Sequence, residues 1–585
     1  MIQLAPRSYD PVIVRDLQTQ GCSSLLAHLY AARGITHIDQ VHPKLSQLLS
    51  PDTFKHAKTM AVCLADAIMQ QDSLCVVADY DCDGATACAV ALLGLRLLGA
   101  TRVDFLVPNR FKNGYGLTPE VVEQVAIHPR LGKPDWIITV DNGISSVEGV
   151  DAANAIGIKV LITDHHLSAT KLDDGSLPKA VAILNPNQPG CSFMSKDIAG
   201  VGVMFYALLL ARTELRLRGV FTVDNQPRLD TLLDLVAIGT VADVVKLDVN
   251  NRTLVAAGLE RIRKNAINGT LRPGVAALFQ IAAKDACRAT TSDIGFAIGP
   301  RINAAGRLDD MSIGILCLVT EDPIQAAELA EQLQTMNLAR RELESEMQDS
   351  AQLQAEAALS QLRDKAVDSG LVLYDTSWHQ GVVGLVASRV KETHWRPTIA
   401  FAPADETGVL LRGSGRSIPG FHLRDALDRV AKQCPGLIHK FGGHAMAAGL
   451  TIAAQDWLIF QAEFSRVCTE LLSSETLAKI LLTDIAPTPL DMTVLNIAAL
   501  ESGVWGQGFE PPIFESKAFV LEQRVLNQAH LKLKLEIKGV VIDAIWFGQS
   551  ETLPQHLCIA YRLGINEFRG NKTVQALIEH AVSLN

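Results

Sequence analysis

Leu74–Gly84 reads LCVVADYDCDG, and this stretch decides the fold. An apolar, β-branched run ends on an aspartate, two further carboxylates follow at alternate positions, and Gly84 opens an alanine-rich segment. The same grammar recurs outward from it. LCVVAD (74–79), VDFLVP (103–108), DWIITVD (135–141), KVLITD (159–164) and AVAILNP (180–186) start 29, 32, 24 and 21 residues apart. That spacing leaves room for a helix between successive strands and predicts an α/β domain with a doubly wound, mostly parallel sheet. Four of the five runs end on Asp or Asn-Pro. In such sheets the carboxyl ends of the strands open into the ligand crevice.

Beyond this core the texture changes twice. Asp322-Pro323 supplies a helix cap and a proline at the first helical position. Leu329, Leu333, Met336, Leu343 and Met347 then follow at helical steps. The reading is a long helix that joins two lobes. From Gly370 strands alternate with helices again, up to the glycine-rich FGGHAMAAGL (441–450). After about Leu471 come short alternating strands, with Lys538-Gly539 as a hairpin turn, the pattern of a small OB-like β-barrel. The expected organisation is 1–320 for the first domain with an N-terminal extension, 321–366 for the connecting helix, 367–468 for a second α/β domain and 469–585 for the barrel.

The 585 residues carry 53 Lys+Arg against 63 Asp+Glu, a net charge of -10. A whole-protein basic footprint is excluded, but a local basic groove is not. The eleven cysteines form no CxxC pair, which fits reduced thiols in a cytoplasm and argues against zinc-ribbon or thioredoxin chemistry. Neither a secretory leader nor a membrane span is expected.

Three carboxylates in Asp79-Tyr80-Asp81-Cys82-Asp83 repel one another beside buried structure, and a hard divalent cation would offset that cost. Taken alone the motif reads equally as a solvated acidic turn. Asp141-Asn142-Gly143 ends the third strand, Asp164-His165-His166 ends the fourth, and Gly239-Thr240-Val241-Ala242-Asp243 adds a carboxylate from a helical region. Oxygen ligands with imidazole suit two ions sharing a carboxylate, an arrangement for phosphoester hydrolysis by a metal-activated water.

With these pieces the chain resembles the DHH phosphoesterase superfamily, and within it the single-strand-specific 5′→3′ exonucleases. The resemblance is carried by DYDCDGAT, VPNRFKNGYGL, VDNGISS, TDHH, GTVADVV, GPRINAAGR, GSGRS, FGGHAMAAGL and YRLGINEFRGN. It implies a DHH domain, a DHHA1-like substrate-binding domain and an OB-like domain. It implies that Asp81, Asp83, Asp141, His165 and Asp243 ligate Mn2+ or Mg2+, two ions in all. The catalytic candidates are Asp79, a ligand or its close support, and His166, which would stabilise the pentavalent phosphate. Arg110, Ser414 and Arg416 would hold a 5′-terminal phosphate. GSGRS reads as a strand followed by a turn, whose bare amides, hydroxyls and guanidinium would form a cradle. Arg301 and Asn303, with Arg307, are either backbone contacts or parts of a capping loop. Gly442, Gly443 and His444 are expected at the substrate. Many relatives have alanine at Cys82, whose thiol opens the site to oxidation or soft metals. Lys532, Lys534 and Lys538, near Phe519, Trp546 and Phe547, form either a strand-binding face or a lysine-guarded edge.

The implied activity is hydrolysis of single-stranded DNA to mononucleotides from a 5′ end, in DNA repair and recombination. The expected setting is a monomer in a bacterial cytoplasm, working on the nucleoid, with no membrane. Implied partners are single-strand-binding protein, a recombination helicase and mismatch-repair factors. A narrow passage between two lobes would exclude duplex. The alternative is a smaller-substrate relative acting on oligonucleotides, cyclic dinucleotides or pyrophosphate. A non-catalytic binding protein with a degenerate DHH core is disfavoured, because every acidic and histidine element is present.

Overall fold

All five runs become strands of one parallel sheet, in the order Val103–Leu106, Leu74–Ala78, Trp136–Val140, Lys159–Thr163, Ala182–Leu184. Leu74–Ala78 and Trp136–Val140 are buried throughout, as a strand covered on both faces must be. On one face Cys75, Val77, Ile137, Val160 and Ile162 form a core with Val121, Val125 and Val150 of two short helices. The other face carries helices Cys82–Leu97 and Gly200–Leu217, and helix Leu233–Ala242 packs on those two. This is a computed structural model, and it describes residues 2–41, 43–109, 116–168, 177–365, 369–405, 407–568 and 570–584. Among them no helix is long and apolar enough to cross a membrane.

Packing divides the chain into two units: Pro6–Gln334 with Leu482–Asn585, and Met1–Ala5 with Thr335–Leu481. The first unit holds the parallel sheet and the barrel. Strands Phe514–Leu526, His530–Ile537, Val540–Phe547, Asn571–Ser583 and His556–Phe568 close in that order, the third and fourth parallel. Leu531, Leu533, Leu535 and Ile537 point inward. Lys538 and Gly539 take φ 50° and 80°, the two left-handed positions that a tight hairpin requires. The barrel is fastened to the N-terminal helices by a buried ion pair: Arg33 donates to both oxygens of Asp484 at 2.9 and 2.8 Å and to the Glu510 carbonyl at 2.8 Å. Removing either partner there would cost about 3–5 kcal/mol. Tyr30, Trp505 and Phe509 stack beside the pair, and Arg252 lies 4.1 Å over Phe509.

In the second unit a mixed sheet runs Lys440–Gly443, Ala447–Ala453, Leu410–Arg416, Thr398–Pro403, Leu371–Tyr374. One face packs Ile399, Phe401, Leu411 and Leu450 on Phe460 and Phe464 of helix Trp457–Leu471. The other packs Leu373, Ala400 and Ala402 on helix Val383–His394 and on Met347, Ala351 and Ala355. Those last three recur every fourth residue of the helix Pro323–Lys365. Asp322 caps that helix, its carboxylate accepting from the Ile324 amide at 2.9 Å.

Candidate active site

The sheet order reverses between Leu74–Ala78 and Trp136–Val140, and a crevice opens where two such strands send their crossovers apart. Asp79 ends the first of these strands and Asp141 the second. Asp164, His165 and His166 follow the neighbouring strand, and Asp243 is the residue after helix Leu233–Ala242. Ligand atoms converge within 4.8 Å in three sets: Asp79, Asp81 and Asp141; Asp141, His165 and His166; Asp83, His165 and Asp243. Asp141 and His165 each belong to two sets, so the clusters are joined. His165 Nε2 lies 3.1 Å from Asp141 Oδ1, 3.6 Å from Asp243 Oδ2 and 4.0 Å from Asp83 Oδ2. His165 Nε2 and Asp243 Oδ2 are buried and make no hydrogen bond. Buried polar atoms are normally satisfied. Carboxylates gathered around an unbonded imidazole nitrogen are the donor set of a divalent cation.

The electrostatics agree. Burial, then the neighbouring Asp243, pushes Asp83 up to about 7. Burial, then Asp81, pushes Asp243 up to about 7. Burial, then Asp83, raises Asp141 well above the carboxylate range, and burial lowers His165. Without a cation these groups are held near neutrality by desolvation and mutual repulsion. Asp164 behaves oppositely. Burial would raise it, but His166, His165 and the Ile144 amide together outweigh burial and bring it down to about 2. Burial would likewise lower His166, yet Asp164, whose Oδ1 sits 2.8 Å from His166 Nδ1, lifts it to about 10. Asp164 is thus already bonded within the protein. Its Oδ1 also accepts from the His165 and His166 amides, and its Oδ2 from the Ile144 amide.

Several supporting residues escaped the sequence reading. Asn185 and Asn187 donate to the carbonyls of His166 and His165 at 2.9 and 2.6 Å. Their only signal was the Asn-Pro-Asn that ends the fifth strand run. The amides of Gly200 and Val201, at a helix start, donate to the two oxygens of Asp83 at 2.6 and 2.9 Å. A Cβ on Gly200 would fall 2.5 Å from Asp141 Oδ1, so only glycine allows that helix to close on the cluster. Asn303 Oδ1 accepts from the Cys82 amide at 2.8 Å, and Arg301 donates to the Ala297 carbonyl at 2.7 Å. Cys82 itself is sealed in, and burial raises its thiol well above the usual range, which disfavours the reactive thiolate. Gly306 lies against the Tyr80 carbonyl, which an added Cβ would approach to 1.7 Å. Gly306→Ala must therefore displace the peptide between Asp79 and Asp81. Calorimetric Mn2+ titration is expected to show affinity at least about tenfold lower.

The second unit holds Ser414, Arg416, Gly442, Gly443 and His444. GSGRS is not a turn: Gly413–Arg416 lies within strand Leu410–Arg416, paired on both sides, so its amides serve the ladder rather than an anion. Added Cβ atoms on Gly413 and Gly415 would strike Phe401 and Leu423, and these glycines therefore face the core. Ser414 and Arg416 share the opposite face, with Arg416 Nη1 donating to Ser414 Oγ at 3.0 Å. Gly384, in the first turn of helix Val383–His394, abuts both; its Cβ would be 2.9 Å from each. A hydroxyl, a guanidinium and a helix N-terminus thus meet, the makings of an anion site. Gly442 and Gly443 end a strand, and the His444 amide closes its hairpin on the Ala447 carbonyl at 2.7 Å. Arg110 lies outside the described residues. On the barrel Lys532 and Lys534 alternate with the inward leucines, whereas Lys538 sits in the hairpin turn after that strand and so does not extend their face. Lys534 stands 3.8 Å from Glu522, and Lys538 donates to the Ala486 and Pro487 carbonyls. Phe519 and Phe547 lie edge-on to His556 and His530, and Trp546 is half-buried.

Comparison with known proteins agrees with this geometry. The N-terminal domain model of the DHH family matches residues 73–240, the DHHA1 domain 368–470 and the RecJ OB domain 483–580. The single-stranded-DNA-specific exonuclease RecJ of Escherichia coli is 44% identical over 590 residues, covering 99% of each chain. The crystal structure of Thermus thermophilus RecJ in complex with Mn2+ aligns with a TM-score of 0.79 at 26% identity, over 100% of this chain and 80% of that one. The Mg2+ complex from the same organism aligns at 0.72 and 25% identity, over 100% and 79%.

Proposed function

The chain belongs to the RecJ family of single-stranded-DNA-specific exonucleases, and from that premise we propose how its own residues divide the work. It hydrolyses single-stranded DNA at a divalent-metal centre. The observation that carries this reading is the convergence of Asp83, Asp141, His165 and Asp243, whose buried donors face one another.

In our reading Asp81, Asp83, Asp141, His165 and Asp243 hold two ions, with Asp141 shared and Asp79 a ligand or close support. A divalent cation bound there polarises the phosphoryl group and lowers the pKa of the attacking water. Asp164 fixes His166 through Nδ1 and keeps it an imidazolium, which supports a role for its Nε2–H as donor to charge developing on phosphoryl oxygens. Gly200 and Val201 orient Asp83, while Asn185 and Asn187 steady the two histidines. In the second unit Ser414 and Arg416 take the 5′-phosphate and make digestion count from that end; Arg110 is a further candidate for a phosphate contact. Arg301, Gly442, Gly443 and His444 contact the strand. Asn303 acts through the Cys82 amide. The OB barrel favours a polymeric substrate over a dinucleotide. Single-strand-binding protein, a recombination helicase and mismatch-repair factors are the partners we propose for a monomer working at the nucleoid.

The deciding experiment is digestion of one long single strand labelled at either end, with Mn2+ and without. We expect a 5′ label to leave at once as mononucleotide while a 3′ label passes through ever shorter products. A 5′-hydroxyl should slow the start about tenfold or more, and Arg416→Ala should erase that preference by removing a charge-assisted contact. Early loss of the 3′ label would reverse the polarity and remove the cradle's role.

A further inference from the structure

We propose that Phe296 is a stacking platform for a nucleobase of the single strand as it enters the metal centre; the proposal rests on the activity above and adds a contact to it. Phe296 lies in Ile294–Ile298, a single π-helical turn that runs into helix Gly299–Leu308. Such turns often mark functional sites. This one packs at both ends on the residues that lead into Asp243. An added Cβ on Gly295 would lie 3.6 Å from Val241 Cγ1, and one on Gly299 would lie 3.1 Å from Ala242 Cβ. The turn therefore sits on the residues that deliver Asp243. Farther along, Asn303 takes the Cys82 amide and Gly306 meets the Tyr80 carbonyl, so the same helix also braces the Asp79–Asp83 turn.

Phe296 is exposed, and Pro300, Asn303 and Arg307, which follow at steps of 4, 3 and 4, are half-buried, while Ile294, Ile298, Ile302 and Ala305 are buried. Seven residues at about 1.5 Å each separate Phe296 from Asn303 by about 10 Å. A strand stacked at about 3.4 Å per step spans that distance in about three nucleotides. Phe296 is thus within reach of the first few bases beside the centre.

A lone exposed apolar side chain is ordinary. Here a second one directly follows a cluster residue. Phe296 is 83% exposed. Val244, which directly follows Asp243, is 63% exposed and holds φ at 61°. A β-branched residue is strained there. Both flank Val241–Asp243, leaving apolar surface where the rest of the cluster presents carboxylates. Phosphate and sugar gain nothing from such surface. A base does, and every base offers a π face, so the contact tolerates any sequence.

The test uses the full-length protein, 5′-phosphorylated oligonucleotides, and matched oligonucleotides carrying one abasic site at each of the first four positions. Phe296→Ala is expected to raise KM about tenfold on intact DNA, while Mn2+ affinity measured without DNA stays at the wild-type value. An abasic site at the stacked position should raise the wild-type KM equally and leave the Phe296→Ala KM where it was. Phe296→Trp should restore both. An unchanged KM in Phe296→Ala, or abasic and mutant penalties that multiply at every position, would overturn the platform. Neither outcome touches the exonuclease reading, which the wild-type protein tests in the same assay.

Discussion

Asp141→Asn is expected to abolish hydrolysis and to make the metal-free protein harder to unfold. Asp141 is the carboxylate that two of the clusters share: it groups with Asp79 and Asp81 on one side and with His165 and His166 on the other. It sits 1% exposed, at φ 61°. Asparagine tolerates that left-handed backbone as well as aspartate does, so the shape of the site survives the change. What disappears is one charge. Burial, then repulsion from Asp83, Asp81 and Asp79, makes that charge unwelcome when no cation is present. Its removal relieves desolvation and repulsion together. With a cation present the same charge is what the site offers. We therefore expect a fall in rate of about a thousandfold or more, on the scale of losing a main electrostatic stabiliser. Mn2+ binding should collapse in calorimetry, while single-strand binding in EDTA should persist. Urea unfolding in EDTA should show a midpoint above the wild-type one. Hydrolysis within tenfold of wild type would remove Asp141 from the centre.

That opposition between stability and function explains why some of the site was legible in the sequence. A parallel strand buried on both faces reads as an unbroken apolar run, so a carboxylate at its end stands out against it. Asp79, Asp141 and Asp164 were visible in this way, and so was the edge at which they gather. The division of labour among them was not. Asp164 and Asp141 end neighbouring strands in the same manner, yet one accepts four hydrogen bonds from the protein and the other faces the cluster. Only the path of the chain after each strand separates the two roles. Long-range partners were equally hidden. The Cys82 amide and Asn303 are 221 positions apart, and Arg33 and Asp484 are 451 apart, and nothing local announces either pairing. GSGRS misled for a related reason. Its glycines resemble a loop, but they are needed because Phe401 and Leu423 leave no room for a side chain in that strand. Gly384 was missed because a glycine in a helical segment shows nothing of the Ser414 and Arg416 side chains it approaches.

Without metal the protein should lose stability as pH rises from about 5 to 7.5, and metal should invert the trend. The folded-state value of Asp83 is about 7, against 3.8 when unfolded. A carboxyl raised on folding stabilises fully below its unfolded value, and that contribution is lost as pH rises to the folded one. Asp243, also raised to about 7, acts in the same direction. His166, lifted to about 10 from 6.5, adds a loss that begins near neutrality and continues upward. Asp164, brought down to about 2, contributes stability above its ordinary value and gives it up only in strong acid, outside this window. Asp141, raised well above the carboxylate range, adds to the decline, while His165, lowered by burial, opposes it below about pH 6.5; the net is a decline of several kcal/mol between pH 5 and 7.5 in EDTA. A divalent cation competes with the same protons, so its affinity climbs through this range, by up to about tenfold per pH unit for each proton displaced. Scanning calorimetry at pH 5, 6.5 and 8, with and without Mn2+, should show a small metal-induced shift in Tm at pH 5 and a large one at pH 8. A metal-free Tm that rises between pH 5 and 7.5 would mean that the carboxylates are already paired within the protein. The acidic cluster would then be a structural salt network, and its attraction for metal would need another explanation.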